Sequence, residues 1–136
     1  MREILFRGKR LDNGAWETGS LVIVRMDCHD AQYYIADKMT GYHTPVDPST
    51  VGQYTGLKDK NGKMIFEWDV VAQIWYDYEE PRDTSFGEVV YCEYDCSFSV
   101  IDDEKDEIVP LGSCAAYVWK VEVIGNITDN PELLEK

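Results

Sequence analysis

The chain has 136 residues, 44% of them apolar, with 17 aromatics (four Phe, four Trp, nine Tyr), which excludes a wholly disordered protein and removes the need for a disulfide or metal staple. Its formal charge of −13 is uneven: residues 1–65 carry nine Lys/Arg against eight Asp/Glu, and residues 66–136 carry four against eighteen. An acidic half of this strength repels nucleic acid and anionic lipid, so neither is an expected partner, and solvated surface is its ordinary reading.

No stretch approaches the roughly 20 apolar residues of a membrane helix. Met1-Arg2-Glu3 places charges where a signal peptide carries an apolar run, and neither end shows a lipidation motif. The expectation is a cytoplasmic protein whose four cysteines, Cys28, Cys92, Cys96 and Cys114, remain thiols.

Ile4-Leu5-Phe6 reads as a short strand, Asp12-Asn13-Gly14 as a tight turn, and Trp16 to Met26 as the returning strand. Arg2, Arg7, Lys9 and Arg10 on the first arm form a basic cluster too small, and too near Glu3 and Asp12, to bind nucleic acid. Gln32 to Ala36 reads as a further strand, and residues 37–50, with Gly41, Pro45 and Pro48, as a connection. Val51 to Leu57 is extended, Asp59-Lys60-Asn61-Gly62 is a second hairpin turn, and an apolar segment runs from Met64 to Tyr76.

Residues 87–101 show the cleanest alternation. Val90, Cys92, Tyr94, Cys96, Phe98 and Val100 share one parity, and Glu93, Asp95, Ser97 and Ser99 the other, which predicts one long half-buried strand. A solvated turn over Asp102 to Glu107 follows. Trp119, Val121 and Val123 alternate with Lys120 and Glu122 as another strand. On this reading Val90, Tyr94, Phe98, Trp119, Val121 and Val123 belong to the core. Asp129-Asn130-Pro131 opens one helical turn through Leu134.

Chemistry-bearing residues do not assemble into a known motif. Phosphate-cradling loops, a Gly-x-Ser-x-Gly elbow and His-Glu-x-x-His are missing from the sequence. Cys92 and Cys96, four apart on one strand, would stand about 13 Å from each other, too far to share a metal. Their apolar parity makes them buried thiols. Cys28 and His29 point to opposite faces if extended, which makes a poor nucleophile–base pair. His43 reads as a loop residue. Glu67 and Asp69 share a parity and could position a divalent ion, although such pairs are more often solvated. The expectation is no catalytic residue, no cofactor and no metal.

Trp68, Trp75, Tyr76 and Tyr78 cluster in sequence before the loop Glu79 to Asp83. Aromatic grooves beside acidic loops bind peptides in small β-barrels, which makes these four the candidate contact residues. The bland alternative, that they fill and rim the core, is the stronger of the two.

The opening Arg2 to Arg10, with Asp12-Asn13-Gly14 and Trp16, resembles the start of the YopX family of bacteriophage and prophage proteins. The run Val51 to Lys63 resembles that family's most specific stretch. Val123-Ile124-Gly125-Asn126-Ile127 with Asp129 to Leu134 is similar to its end. The resemblance covers the full length in order and implies one YopX-like domain over 1–136, with an N-terminal hairpin region (1–48) and an SH3-like barrel (49–136). It carries no biochemical activity. Where the family usually has Tyr-Glu-Gly-Asp-Ile-Val, this chain has Phe66-Glu67-Trp68-Asp69-Val70-Val71. If the family glycine has positive φ, Trp68 in its place incurs about 1 kcal/mol or more of strain.

The fold class expected is mainly β, or β-rich α+β, with a short C-terminal helical turn. The function expected is that of a non-enzymatic accessory protein binding an unidentified protein partner or itself. Alternatives are an acidic DNA mimic that inhibits a host DNA-binding protein, and a small metal-assisted enzyme built on Glu67 and Asp69.

Overall fold

Positive φ at Gly14 (71°) and Gly62 (82°) closes the two hairpins that the sequence places there, a conformation open to glycine at little cost. The computed structural model describes residues 1–27, 30–102, 107–111 and 119–134. Cys28, His29, Cys114 and residues 103–106 of the expected solvated turn lie outside the described residues, as do the side chains of Trp75 and Trp119. The described chain is mainly β, with strands in two antiparallel sheets, and it divides into two compact units, Met1–Tyr54 and Thr55–Lys136.

In the first unit, β1 (Phe6–Lys9) pairs with β2 (Trp16–Val24), β2 with β3 (Gln32–Ala36), and β3 with β4 (His43–Pro45), all antiparallel. Residues 37–50 are therefore more than a connection. The Asp37 carboxylate accepts the N–H groups of Met39 and Thr40, and Gly41 at φ 72° turns the chain back. The returning β4 places Pro45 on an edge strand, where a missing N–H is tolerated. A single 3₁₀ turn, Pro48–Thr50, follows with Asp47 as its cap. Leu5, Ile35, Val46 and Tyr54 are buried.

β5 (Gly52–Lys58) crosses the division. Gly52 and Gln53 pair with β1, and the strand then runs beside β6 (Met64–Phe66). The rest of the second unit is a meander of β7 (Asp69–Asp77), β8 (Glu80–Cys92), β9 (Ser97–Asp102) and β10 (Glu107–Pro110). β11 (Trp119–Asn126) returns to lie beside β7, giving the order β10-β9-β8-β7-β11. β10 and β11 are the two edges of this sheet among the described residues. Val89, Val100 and Val109 stand opposite one another across three strands. The core cluster is Ile65, Val71, Val89, Val100, Leu111 and Val121, with Phe98 and Val123 packed against it. A bulge in β11 leaves Ile124 out of the pairing with β7. Pro131–Leu134 forms one 3₁₀ turn at the expected place.

One expected strand is two. The alternation from Val90 to Val100 crosses a turn at residues 93–96, where Cys96 has φ 53°, and Ser97 folds back opposite Cys92. Tyr94 is consequently 99% exposed rather than in the core. Cys92 is half-buried and Cys96 exposed, so neither is the buried thiol its parity suggests. Upstream of the turn the buried face belongs to the other parity: Ser85 and Val89 are buried, while Val90 is only half-buried.

Candidate functional site

The candidate aromatics divide between the two ends of β7. Trp68 precedes the strand, its N–H donating to the Val89 carbonyl (2.8 Å) and its carbonyl accepting from the Ile127 N–H (2.9 Å). These bonds and a half-buried side chain hold it at φ 72°, so the strain expected of a tryptophan in glycine's place is present. Eight residues on, at about 3.3 Å per residue, Tyr76 sits roughly 25 Å from it. Lys120 Nζ lies over the Tyr76 ring, 4.8 Å from its centroid. Tyr78 occupies the two-residue turn between Asp77 and Glu80, which pair with each other. It has φ 59° and is 97% exposed. Tyr78, Glu79, Glu80 and Arg82 line an open depression there, with an Arg82–Glu80 contact at 4.0 Å. The structure thus brings Tyr76 and Tyr78 to one end of the sheet and leaves Trp68 at the other.

A second site has no counterpart in the sequence reading. It begins with Asp59, 8% exposed, in the β5–β6 turn. Asp59 Oδ1 accepts the N–H groups of Asn61 and Lys63, both at 2.9 Å, and Oδ2 accepts that of Val123 at 3.0 Å. Burial opposes ionisation, but the three backbone donors outweigh it and hold the carboxyl below the usual carboxylate range. The Lys60 N–H donates to the Val121 carbonyl (2.9 Å), so the turn is strapped to β11 twice. Beside this strap lies a cavity of about 280 Å³. Its apolar lining is Leu57, Ile65, Leu111 and Val121, and its charged lining includes Lys58, Lys60 and Lys120. Lys60 Nζ is 3.4 Å from Glu122 Oε2. Lys58 has no ion-pair partner among the described residues. The only sequence signal was Lys58 and Lys60 flanking one aspartate; that Lys120 joins them depends on the return of β11.

The remaining candidates stay apart. Cys92 Sγ is 3.9 Å from Asp95 Oδ2, and Cys96 Sγ donates toward the Glu93 carbonyl at 3.6 Å. Because Cys92 ends β8 and Cys96 is the last residue of the turn that follows, the 13 Å separation expected along one strand does not apply. Glu67 and Asp69 do not share a strand face, because Trp68 turns the chain between them; Asp69 is fully buried and accepts the Phe66 N–H at 2.8 Å. His43 is exposed, with Nδ1 2.9 Å from the Gly41 carbonyl. Among the described residues, no three His, Cys, Asp or Glu side chains converge as a metal site, and no helix is long and apolar enough to cross a membrane. On the basic arm, Arg7 and Lys9 lie over the Trp16 ring at 4.7 and 5.4 Å. Arg10 bridges Asp12 at 2.7 Å and Glu17 at 3.1 Å.

The family model described as YopX protein matches residues 5–135. Protein yopX from Bacillus subtilis, in its crystal structure, is 22% identical, with 99% of this chain and 100% of that chain covered and a TM-score of 0.58. Protein EF1440 from Enterococcus faecalis is 23% identical with the same coverage and a TM-score of 0.57. These structures share the fold of this chain. A comparison with curated proteins finds no match.

Proposed function

The chain belongs to the YopX protein family, and on that premise we propose that it is a non-enzymatic accessory protein of phage or prophage type. On this reading it works in the cytoplasm of the bacterial host by binding another protein. The observation that carries the reading is Tyr78, a large aromatic held almost wholly in solvent at a strained φ. Such strain persists only where surrounding structure imposes it, and it concentrates at functional positions. Tyrosine is also among the residues that dominate binding energy at interfaces. Glu79 and Glu80 beside it, both exposed, favour a partner segment bearing Lys or Arg.

The SH3-like barrel implied by the family resemblance belongs to this proposal too. A four-stranded meander whose fifth strand returns beside the first supports it for the second unit. Described acids gather at both ends of β8, around Glu79–Glu80 and around Glu93 and Asp95. At about 3.3 Å per residue those ends are roughly 40 Å apart, an arrangement that favours a local contact over mimicry of a DNA groove.

Affinity capture from the host lysate tests the proposal, with the wild-type chain and the Tyr78→Ala and Glu80→Gln variants as baits. A protein retained by the wild type should be lost with Tyr78→Ala and weakened with Glu80→Gln. Sedimentation in parallel reveals whether the partner is a second copy. Retention unaffected by either variant, or no retained protein and no self-association, would sink the reading.

A further inference from the structure

We propose that the cavity beside the Asp59 strap binds a small organic carboxylate with an apolar body. Its volume of about 280 Å³ is at the lower end for ligand sites and suits one ring or a short branched chain. Ile65, Leu111 and Val121 are buried members of the core cluster, so an apolar body entering there meets the edge of the core instead of a polar surface. The charged lining supplies the anchor. Among the described residues, Lys58 has no ion-pair partner, and the side chain of Lys120 is engaged by the face of the Tyr76 ring. Lys60 is tethered to Glu122.

The sign of charge here runs against the unit that contains it. Residues 55–136 carry seven Lys/Arg against nineteen Asp/Glu, a net of −12, yet three of the seven cations line this one cavity. Counting Asp59 in the lining and Glu122 beside Lys60, the local balance is +1. Asp59 turns its oxygens toward three backbone donors and forms no ion pair with these lysines among the described residues. At 0.15 M salt, fields are largely screened beyond about 8 Å, so a carboxylate within contact of Lys58 and Lys120 feels these before the distant acids. A neutral ligand of the same shape gains the burial but not the anchor. A fully polar anion gains the anchor alone.

The test is an amide-resolved NMR titration of the ¹⁵N-labelled full chain with 3-phenylpropionate, and with its neutral counterpart 3-phenylpropionamide. The carboxylate should shift the amides of Leu57, Lys60 and Val121 saturably, with a Kd of about 1 mM or tighter. The amide should bind several-fold more weakly, and acetate should produce no saturable shift at those residues. Lys58→Gln and Lys120→Gln should each weaken the carboxylate about two- to fivefold, the ordinary worth of a solvent-exposed ion pair. Both positions are exposed, so the variant spectra should remain dispersed like that of the wild type. Absence of a saturable shift, equal binding of carboxylate and amide, undiminished binding by both lysine variants, or shifts confined to the Tyr78 turn would each overturn the assignment.

Discussion

Among the described residues, three non-glycine positions, Trp68, Tyr78 and Cys96, hold positive φ, and all three sit in turns of the second unit. The burial of the side chain separates their consequences. Tyr78 buries almost nothing, so Tyr78→Gly should raise stability by about 1 kcal/mol through relief of strain alone, measured by chemical denaturation, while abolishing partner capture. Trp68→Gly relieves the same strain but removes a half-buried indole, whose burial is worth more, so that variant should lose about 1 kcal/mol. Asp59 gives a pH signature. A carboxyl whose folded pKa is lowered contributes stability above its unfolded value of about 3.9 and loses it as pH falls through the lower folded value. Asp59→Asn should therefore flatten the fall in stability below about pH 4. An unfolding profile as steep as that of the wild type there would remove Asp59 from that role.

At the level of elements, the first two hairpins and the strand Gln32–Ala36 were legible because turn chemistry and alternation agree there. The β8–β9 hairpin was not. Cys92, Tyr94 and Cys96 continue the parity of Phe98 and Val100 straight through a turn that lacks glycine. Period-two reasoning cannot see a reversal whose tip keeps the alternation. The pair of substitutions that separates the readings is Val100→Ala against Tyr94→Ala. Val100 is fully buried between Val89 and Val109, so its truncation should cost about 2–3 kcal/mol from lost transfer energy and the cavity left behind. Tyr94→Ala should stay within about 0.5 kcal/mol. Comparable losses for both, in urea unfolding, would restore the single strand.

Over the whole molecule, composition described the charge but not its placement. The Met1–Tyr54 unit carries six Lys/Arg against seven Asp/Glu, so nearly all of the negative charge belongs to the other unit. The basic arm is partly neutralised within itself, Arg10 by Asp12 and Glu17. The lysine-lined cavity was invisible in the sequence because its members come from a turn and from a strand sixty residues later. That same late strand has a kinetic consequence. β11 pairs with β7 at separations of 44 residues (Trp119 with Trp75) to 57 residues (Asn126 with Asp69), while β7, β8, β9 and β10 pair with their immediate neighbours in the chain. Loop-closure entropy opposes the long-range pairing until the local contacts exist, so the meander should form the nucleus and β11 should dock after the rate-limiting barrier. Interactions formed late act on the unfolding rate. Val121→Ala should then speed unfolding about tenfold while leaving the refolding rate nearly unchanged. A stopped-flow chevron with the loss on the refolding arm instead would place β11 in the nucleus.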